Sequence, residues 1–483
     1  VAAHSLLWYD LETFGAHPPS DRIAQFACWR TDEALQPIAD PVCVKVQAPW
    51  YYLPDPEACL ITGLSPQRCG NGVSESALAE LLQAEFGQPQ TSSAGYNCIR
   101  FDDEFVRHLF WRQLIDPYAR EWQHGNQRFD LLDVARLCHA LRPDGISWPR
   151  REDGLTSFRL EHLAQANKLP QQHAHDALSD VEATLALARL LRERQPRLYA
   201  WARRMADKAH VRSLLETGEP LLHVSGRYPV QFGCLRMVLP IGSHPQQRNK
   251  VAVYDLMQDP LLWADCSVEE LAEALYRKRP EAAAGESANE AVRPGLKFVH
   301  IGRCPMLAPV SVLAGVDPGR IELDPERCLR HAHWLEQNPD LAQRLLAALL
   351  QAPAQATEES LPDPELALYQ GFVSSPDRAQ LAGFRSASEP GARIHFDDPR
   401  LAELAWRWRH AEADPADPHW RELLLHRFEH GFGRRPGWQQ WRAELEATSA
   451  QETVPERQQL LRELADWGAA AAMRLGGRWQ TGT

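Results

Sequence analysis

The sequence predicts an α/β domain, then a smaller β-containing domain, then a closing helical region. Three observations predict it. Over residues 1–195 short apolar strand-like runs alternate with helical stretches, the pattern of a sheet covered by helices. Further on, "KVAVYDL" (Lys250 to Leu256) and "LKFVHIG" (Leu296 to Gly302) are strand-like runs in a segment of different charge. Beyond "QAPAQATEESLPDPE" (Gln351 to Glu365), whose Pro, polar and acidic makeup is that of a linker, every apolar pattern is helical. The predicted division is 1–195, 196–350 and 351–483, with the linker at about 351–365.

Taken in order, "LLWYD" is the first strand, "PVCVKVQ" (Pro41 to Gln47) alternates like a half-exposed strand, and "TSSAGYN" (Thr91 to Asn97) is another. Helices are expected at Ser74 to Phe86, Asp102 to Leu114 and Asp176 to Pro196; the last carries Leu187, Leu190 and Leu191 at helical spacing and stops before a proline. The second segment opens basic: from Arg197 to Lys250 nine Lys or Arg stand against three Asp or Glu, which offers a local site for an anionic partner. An Ala/Glu/Gly stretch at residues 281–295 separates its two strands as a loop, and helices follow in "HAHWLEQ" and "LAQRLLAALL". In the third segment "LAELAWRWRHAE", "HWRELLLHRFEHGF", "WQQWRAELEA" and "ERQQLLRELADWG" are helical. Seven of the sixteen tryptophans lie in this segment, at spacings that point to a core.

Composition sets outer bounds. With 483 residues, 44% hydrophobic and 24% charged, the chain has material for two or three cores. A formal charge of -12 excludes a protein basic all over, but not one with a local basic face for nucleic acid. The ten cysteines form no C-x-x-C pair, so reduced thiols are expected rather than a zinc ribbon or a disulfide framework. No apolar run is long enough to span a bilayer. The first residues show no basic stretch leading into an apolar one, and Asp10 and Glu12 would interrupt a signal core. A cytoplasmic, membrane-free protein is expected.

Three short blocks carry the chemistry. In an extended chain positions i and i+2 share a face, so Asp10 and Glu12 of "LLWYDLETFG" present two carboxylates side by side. By itself that is an ordinary solvated strand end. "GYNCIRFDDEF" places Asp102 after Phe101 at a strand-to-helix junction, where by itself it would be a helix cap. "HAHDALSDVEA" places His175 and Asp180 at the start of a long helix, where by themselves they would be a surface histidine and an acid favoured by the helix dipole.

Together, a strand-borne D-x-E, an F-D before a helix and an H-x-A-x-x-D resemble the histidine branch of the DEDD superfamily of 3′→5′ exonucleases. Longer stretches, among them "YDLETFGAHPPSDRIAQFA", "LITGLSP", "GYNCIRFDDE", "LTSFRLEHLAQANKL", "HPQQRNKVAVYDL", "KFVHIGRCP" and "LYQGFVSSPDR", are similar to the bacterial exonuclease I family over nearly the whole chain. The resemblance implies an α/β fold: a ribonuclease-H-like exonuclease domain followed by an SH3-like β-containing domain and a C-terminal α-helical domain. It also implies degradation of single-stranded DNA from the 3′ end with release of 5′-mononucleotides, in DNA repair and recombination. Asp10, Glu12, Asp102, His175 and Asp180 are then the catalytic set, with Asp103 the alternative to Asp102. Asp10, Glu12 and Asp180 are the metal ligands. The implied cofactor is a pair of Mg²⁺ ions, hard cations that prefer oxygen ligands, with Mn²⁺ as a substitute. Glu12 and Arg159 are matched to the terminal nucleotide. Arg107, Tyr118, Trp122 and Arg136 are matched to the strand's path, and Trp201, Lys208, Asn249, Lys297 and His300 to its continuation on the SH3-like side. Flat aromatics with arginines are what single strands need, stacking for bases and charge for phosphates, although each aromatic by itself reads equally as core. Implied partners are single-stranded DNA and the acidic C-terminal tail of single-strand DNA-binding protein, with the enzyme a monomer. One departure stands out: Cys98 occupies the place, four residues before the middle Asp, where relatives often carry Asn, and Asn97 is beside it. Two other readings remain, an RNA exonuclease of the same superfamily and a catalytically silent single-strand-binding scaffold.

Overall fold

The computed structural model describes residues 3–171, 175–277, 293–351, 363–385, 394–410 and 417–476. The loop expected at 281–295 lies outside these residues except for its last three, and so does most of the expected linker. Two compact units emerge. One gathers Val1–Gln127, Pro170–Leu185 and Glu358–Thr483; the other gathers Arg128–Leu169 and Ala186–Thr357.

The first sheet is built on β1 (Ser5–Thr13), β2 (Ile23–Thr31), β3 (Val42–Lys45), β4 (Thr91–Gly95) and β5 (Gln127–Asp130), in the order β3-β2-β1-β4-β5. β1 pairs antiparallel with β2 and parallel with β4, so the sheet is mixed. β1 runs longer than "LLWYD" and carries Asp10 and Glu12 within it. β2, nine residues and almost wholly buried, has no polar alternation to announce it, which is why pattern reading passes over it. Where the β1–β4 ladder stops, at Trp8↔Ala94, Gly95 allows the chains to close up: a Cβ there would meet Tyr9 O at 2.9 Å and Cys98 Cβ at 2.7 Å. Asn97 then turns in the left-handed region at φ 62°, a conformation asparagine tolerates, and buried Cys98 packs in beneath.

Helices of this unit are α1 (Pro56–Thr62), α2 (Glu75–Phe86) and α3 (Asp102–Arg112); α4 (Leu131–Leu141) and α5 (Leu160–Asn167) belong to the other unit, and α6 (Ala177–Arg194) begins in the first. The second unit continues through α7 (Pro196–Arg204) and α8 (Lys208–Glu216) into an antiparallel sheet. Its strands are β6 (Leu221–Val224), β7 (Leu235–Ser243), β8 (Lys250–Asp255), β9 (Leu296–His300) and β10 (Met306–Pro309), in the order β10-β6-β7-β8-β9. Helices α10 (Pro325–Gln337) and α11 (Pro339–Leu350) pack against β7, and α9 (Val268–Tyr276) packs on α11.

The C-terminal helices return to the first unit: α12 (Ser375–Phe384), α13 (Pro399–His410), α14 (Pro418–His430), α15 (Trp438–Gln451) and α16 (Pro455–Leu475). The expected tryptophan core is present. Trp420, Trp438 and Trp441 are buried in one apolar cluster with Phe14, Ala24, Tyr52 and Leu53 from the N-terminal part. Trp441 Nε1 donates to Pro54 O (2.7 Å) and Trp467 Nε1 to Tyr52 O (2.7 Å), whereas the buried Nε1 groups of Trp420 and Trp438 have no partner among the described residues. Gly468 sits in mid-helix because a Cβ there would lie 2.5 Å from the Trp441 ring.

A buried ionic network joins the same two stretches. Glu365 meets Arg22 at 3.0 Å, Arg427 at 2.8 Å and Arg407 at 3.4 Å. Asp363 meets Arg407 at 2.6 Å and Arg427 at 2.8 Å, and Glu75 meets Arg112 at 2.6 Å. Burial opposes ionisation of Glu365, but the Arg427, Arg22, Arg407 and Arg112 guanidiniums outweigh it and hold the carboxyl far below its usual range.

Candidate active site

Strand geometry places Asp10 and Glu12 on one face of β1, as expected, with Glu12 buried and Asp10 half-buried. Between them the Leu11 N–H, past the end of the β4 ladder, donates to Asp102 Oδ1 at 3.1 Å. Asp102 is therefore no side-chain cap: it stands in the first turn of α3 and completes the hydrogen bonding of β1, with one oxygen aimed at the backbone between the two strand acids. Asp103 is engaged elsewhere, accepting from Tyr9 OH at 2.5 Å and paired with buried Arg120. The arrangement thus separates the two aspartates that pattern alone left as alternatives.

Ligand atoms of Glu12, His175 and Asp180 lie within 4.8 Å of one another. Asp180 is fixed by Gln171, whose Nε2 donates to Oδ1 at 2.7 Å. Burial raises the Asp10 carboxyl well above its ordinary value, reinforced by the charges of Asp102, Glu12, Asp180 and Asp176. Burial likewise pushes Glu12 up to about 8, with Asp180 and Asp176 adding to it. Acids packed this closely are strained as anions unless positive charge is shared among them, and an all-oxygen set with one imidazole at its edge suits hard divalent cations. The donor set fits such ions. All five predicted side chains belong to the first unit, and the structure brings them together. Sequence reading missed Asp176, Gln171 and Gln25. The adjacency of Asp176 to His175 was a visible signal, but no spacing rule marks the two glutamines.

The other predicted residues fall into two groups. In the first unit Arg107 is buried, its guanidinium spent on Glu121 (2.7 Å) and Glu104 (2.7 Å) and lying 5.4 Å from the Tyr118 ring centroid. There it supports the ring of Tyr118, the aromatic expected beside it on the strand's path. Trp122 is 55% exposed, as a stacking surface must be. In the second unit Arg159 precedes α5 with a side chain 73% exposed, its ion pair with Glu161 a loose 3.7 Å. Arg136 pairs with Asp133 at 2.6 Å and lies over Phe158. Trp201 donates Nε1 to Leu307 O (2.7 Å). Asn249 O receives the Ile301 N–H at 2.9 Å, and a Cβ on Gly302 would meet Lys208 Cε at 3.7 Å, so Asn249, His300 and Lys208 surround one end of β8 and β9. Lys297 Nζ lies 4.5 Å from the Tyr228 ring centroid. Burial lowers His300 to about 4, and the neighbouring charges of Arg303, Lys250, Arg227 and Lys297 push it the same way; that cluster of cations is a face for an anion.

Comparison with known proteins covers most of the chain. A family model described as "Exonuclease" matches residues 7–188, one described as "Exonuclease I SH3-like domain" matches 206–351, and one described as "Exonuclease I C-terminal domain" matches 362–471. Exodeoxyribonuclease I of Escherichia coli (strain K12) is 40% identical over 413 residues, 84% of this chain and 85% of that one. The crystal structure of E. coli Exonuclease I in complex with a dA16 oligonucleotide superposes with a TM-score of 0.89 at 35% identity, covering 97% of this chain and 100% of that one. A structure of SSB/Exonuclease I in complex with inhibitor CFAM gives 0.85 at 34% identity, with 97% and 100% covered.

Proposed function

The chain belongs to the exodeoxyribonuclease I family, and from that premise we propose which of its residues perform the reaction. The enzyme is a 3′→5′ exonuclease of single-stranded DNA that releases 5′-mononucleotides, built from an exonuclease domain, an SH3-like domain and a C-terminal domain, and dependent on metal. Asp10, Glu12 and Asp180 hold the ions, Asp102 completes the acidic set, and Mg²⁺ is the ion assigned to the site. The observation that carries this reading is the convergence of Glu12, His175 and Asp180 within 4.8 Å.

When bound, the ions supply positive charge to the attacking and departing oxygens of an in-line displacement. An imidazole nitrogen of His175 takes the proton of the attacking water. The water oxygen bonds to the phosphorus of the last phosphodiester, the bond from phosphorus to the preceding 3′ oxygen breaks, and the terminal nucleotide leaves with its 5′ phosphate. Glu12 and Arg159 fix that nucleotide. Tyr118, Trp122 and Arg107, with Arg136, Trp201, Lys208, Asn249, Lys297 and His300, guide the strand. The reading divides the chain at about 195 and 350 and takes it as a cytoplasmic monomer; among the described residues no helix is long and apolar enough to cross a membrane. The acidic tail of single-strand DNA-binding protein is assigned as a partner, supported by the related complex.

Labelled strands test the direction. With Mg²⁺, a 3′-labelled single strand is expected to release labelled mononucleotide from the first turnover, while a 5′-labelled one shortens progressively. Internal cuts in circular single strands would refute the assignment.

His175→Ala separates base from ligands. Because the carboxylates remain, a residual rate is expected, and raising the pH is expected to recover part of the loss as hydroxide replaces the missing base. A pH–rate profile parallel to that of the native enzyme would rule out His175 as the base.

A further inference from the structure

β2 carries a buried side chain that the chemistry above leaves unused. Gln25 stands opposite Glu12 in the β1–β2 register. Its Nε2 donates to Asp176 Oδ2 at 3.0 Å and to Cys43 Sγ at 3.3 Å, and its Oε1 accepts the Ala177 N–H at 3.3 Å. These partners fix the amide's orientation. Reversed, it would set an oxygen against the Asp176 carboxylate and an NH₂ against the Ala177 N–H. The other oxygen of Asp176 accepts the Ser179 N–H at 3.2 Å, and its carbonyl accepts the Asp180 N–H at 3.0 Å. Asp176 therefore closes the first turn of α6 and fastens that turn to β2. His175 immediately precedes it with φ 64°, in the left-handed region that histidine visits more often than most residues.

We propose that Gln25 and Asp176 form a clasp that positions His175 and Asp180 against Glu12. Both are positioning residues, and the inference rests on the site assigned above. Because Gln25 faces Glu12 across a single register pair, the clasp ties the half of the site that α6 supplies to the half that β1 supplies. Outer partners of metal ligands act in this way in many sites, by fixing where the ligand atoms stand before the ion arrives.

The rival role for Asp176 is its own negative charge beside the metal. The two separate because the clasp's polarity can be inverted. In Asp176→Asn the introduced amide NH₂ meets Gln25 Nε2, donor against donor. In the double variant, which adds Gln25→Glu to Asp176→Asn, that NH₂ on α6 donates to the new carboxylate on β2. The second oxygen of the carboxylate still accepts the Ala177 N–H. The charge has moved to β2 and the clasp is restored.

The experiment measures Mn²⁺ affinity by calorimetry, kcat and KM on a single-stranded oligonucleotide, and oligonucleotide binding in EDTA. Gln25→Ala and Asp176→Asn are each expected to weaken Mn²⁺ binding and lower kcat by about 10–100-fold, with binding in EDTA unchanged. The double variant is expected to recover most of both losses. A double variant no better than Asp176→Asn would overturn the clasp in favour of a direct charge at the metal. Native Mn²⁺ affinity in both single variants would overturn it outright. Asp10→Ala, measured alongside, keeps the two readings apart: if it too retains Mn²⁺ affinity and cleavage, the site assignment itself has failed. If Asp10→Ala is inactive while Gln25→Ala and Asp176→Asn are native, only the clasp has failed.

Discussion

Asp10→Ala and Asp180→Ala enzymes are expected to bind single-stranded DNA and leave it intact. Each substitution removes a proposed metal ligand from a set of closely packed acids. The loss in kcat should be at least ~10³-fold, the scale of deleting one preorganised charge from a polar site and about 4 kcal/mol of activation free energy. Stability should move the other way. Asp10 is raised by burial and by Asp102, Glu12, Asp180 and Asp176, so without metal its carboxylate is a source of repulsion that alanine relieves. Single-turnover cleavage in Mg²⁺, oligonucleotide binding in EDTA and thermal melting in EDTA test the three parts. Near-native cleavage by Asp10→Ala would mean that the acids of β1 are an ordinary strand end.

Glu365→Gln is expected to cost the first unit about 3–5 kcal/mol, the range for breaking a buried ion pair by removing one partner. The glutamine keeps the shape but leaves Arg22, Arg407 and Arg427 around a neutral group. Its pH signature follows from the direction of the shift. The folded-state carboxyl is depressed, so its contribution is complete above the unfolded value of about 4.3 and fades as pH falls through the lower folded value. Urea denaturation at neutral pH should show the full difference between native and variant, and the gap should narrow progressively in acid. A difference under ~1 kcal/mol at neutral pH would place the network with surface pairs of little consequence.

Motif and resemblance made the proposed site legible in the sequence, and local pattern made part of the fold legible. Asp10 and Glu12 are i, i+2 neighbours on one strand, so periodicity alone sets the face they share, whereas His175 precedes α6 and was joined to Asp180 through the family resemblance. β3, β4, β8 and β9 alternate, or end at turn residues, and were legible for that reason. β2 was not, because both its faces are buried and alternation is the signal that burial erases. Asp102 and Asp103 differ in partners far off in sequence, the Leu11 N–H for one and Arg120 with Tyr9 for the other. Nothing local announces that Arg107 is paired with Glu121. The Gln25–Asp176 bond spans 151 positions, and no window along the chain contains both ends.

The first unit's three stretches, Val1–Gln127, Pro170–Leu185 and Glu358–Thr483, also set an order of events during translation. Arg22 leaves the ribosome early, and its partner Glu365 follows 343 positions later, after the entire second unit has been made. At ~5–20 residues per second that interval is roughly twenty to seventy seconds. Until Glu365 arrives, Arg22 has only Glu75 of its two carboxylate partners, and the apolar surface of Phe14, Ala24 and Tyr52 waits for Trp420 and Trp441. The nascent polypeptide thus finishes its second unit before it can finish its first. A nuclease chain released short of Glu358 would carry every proposed catalytic side chain and lack the buried partners of Phe14, Ala24 and Tyr52.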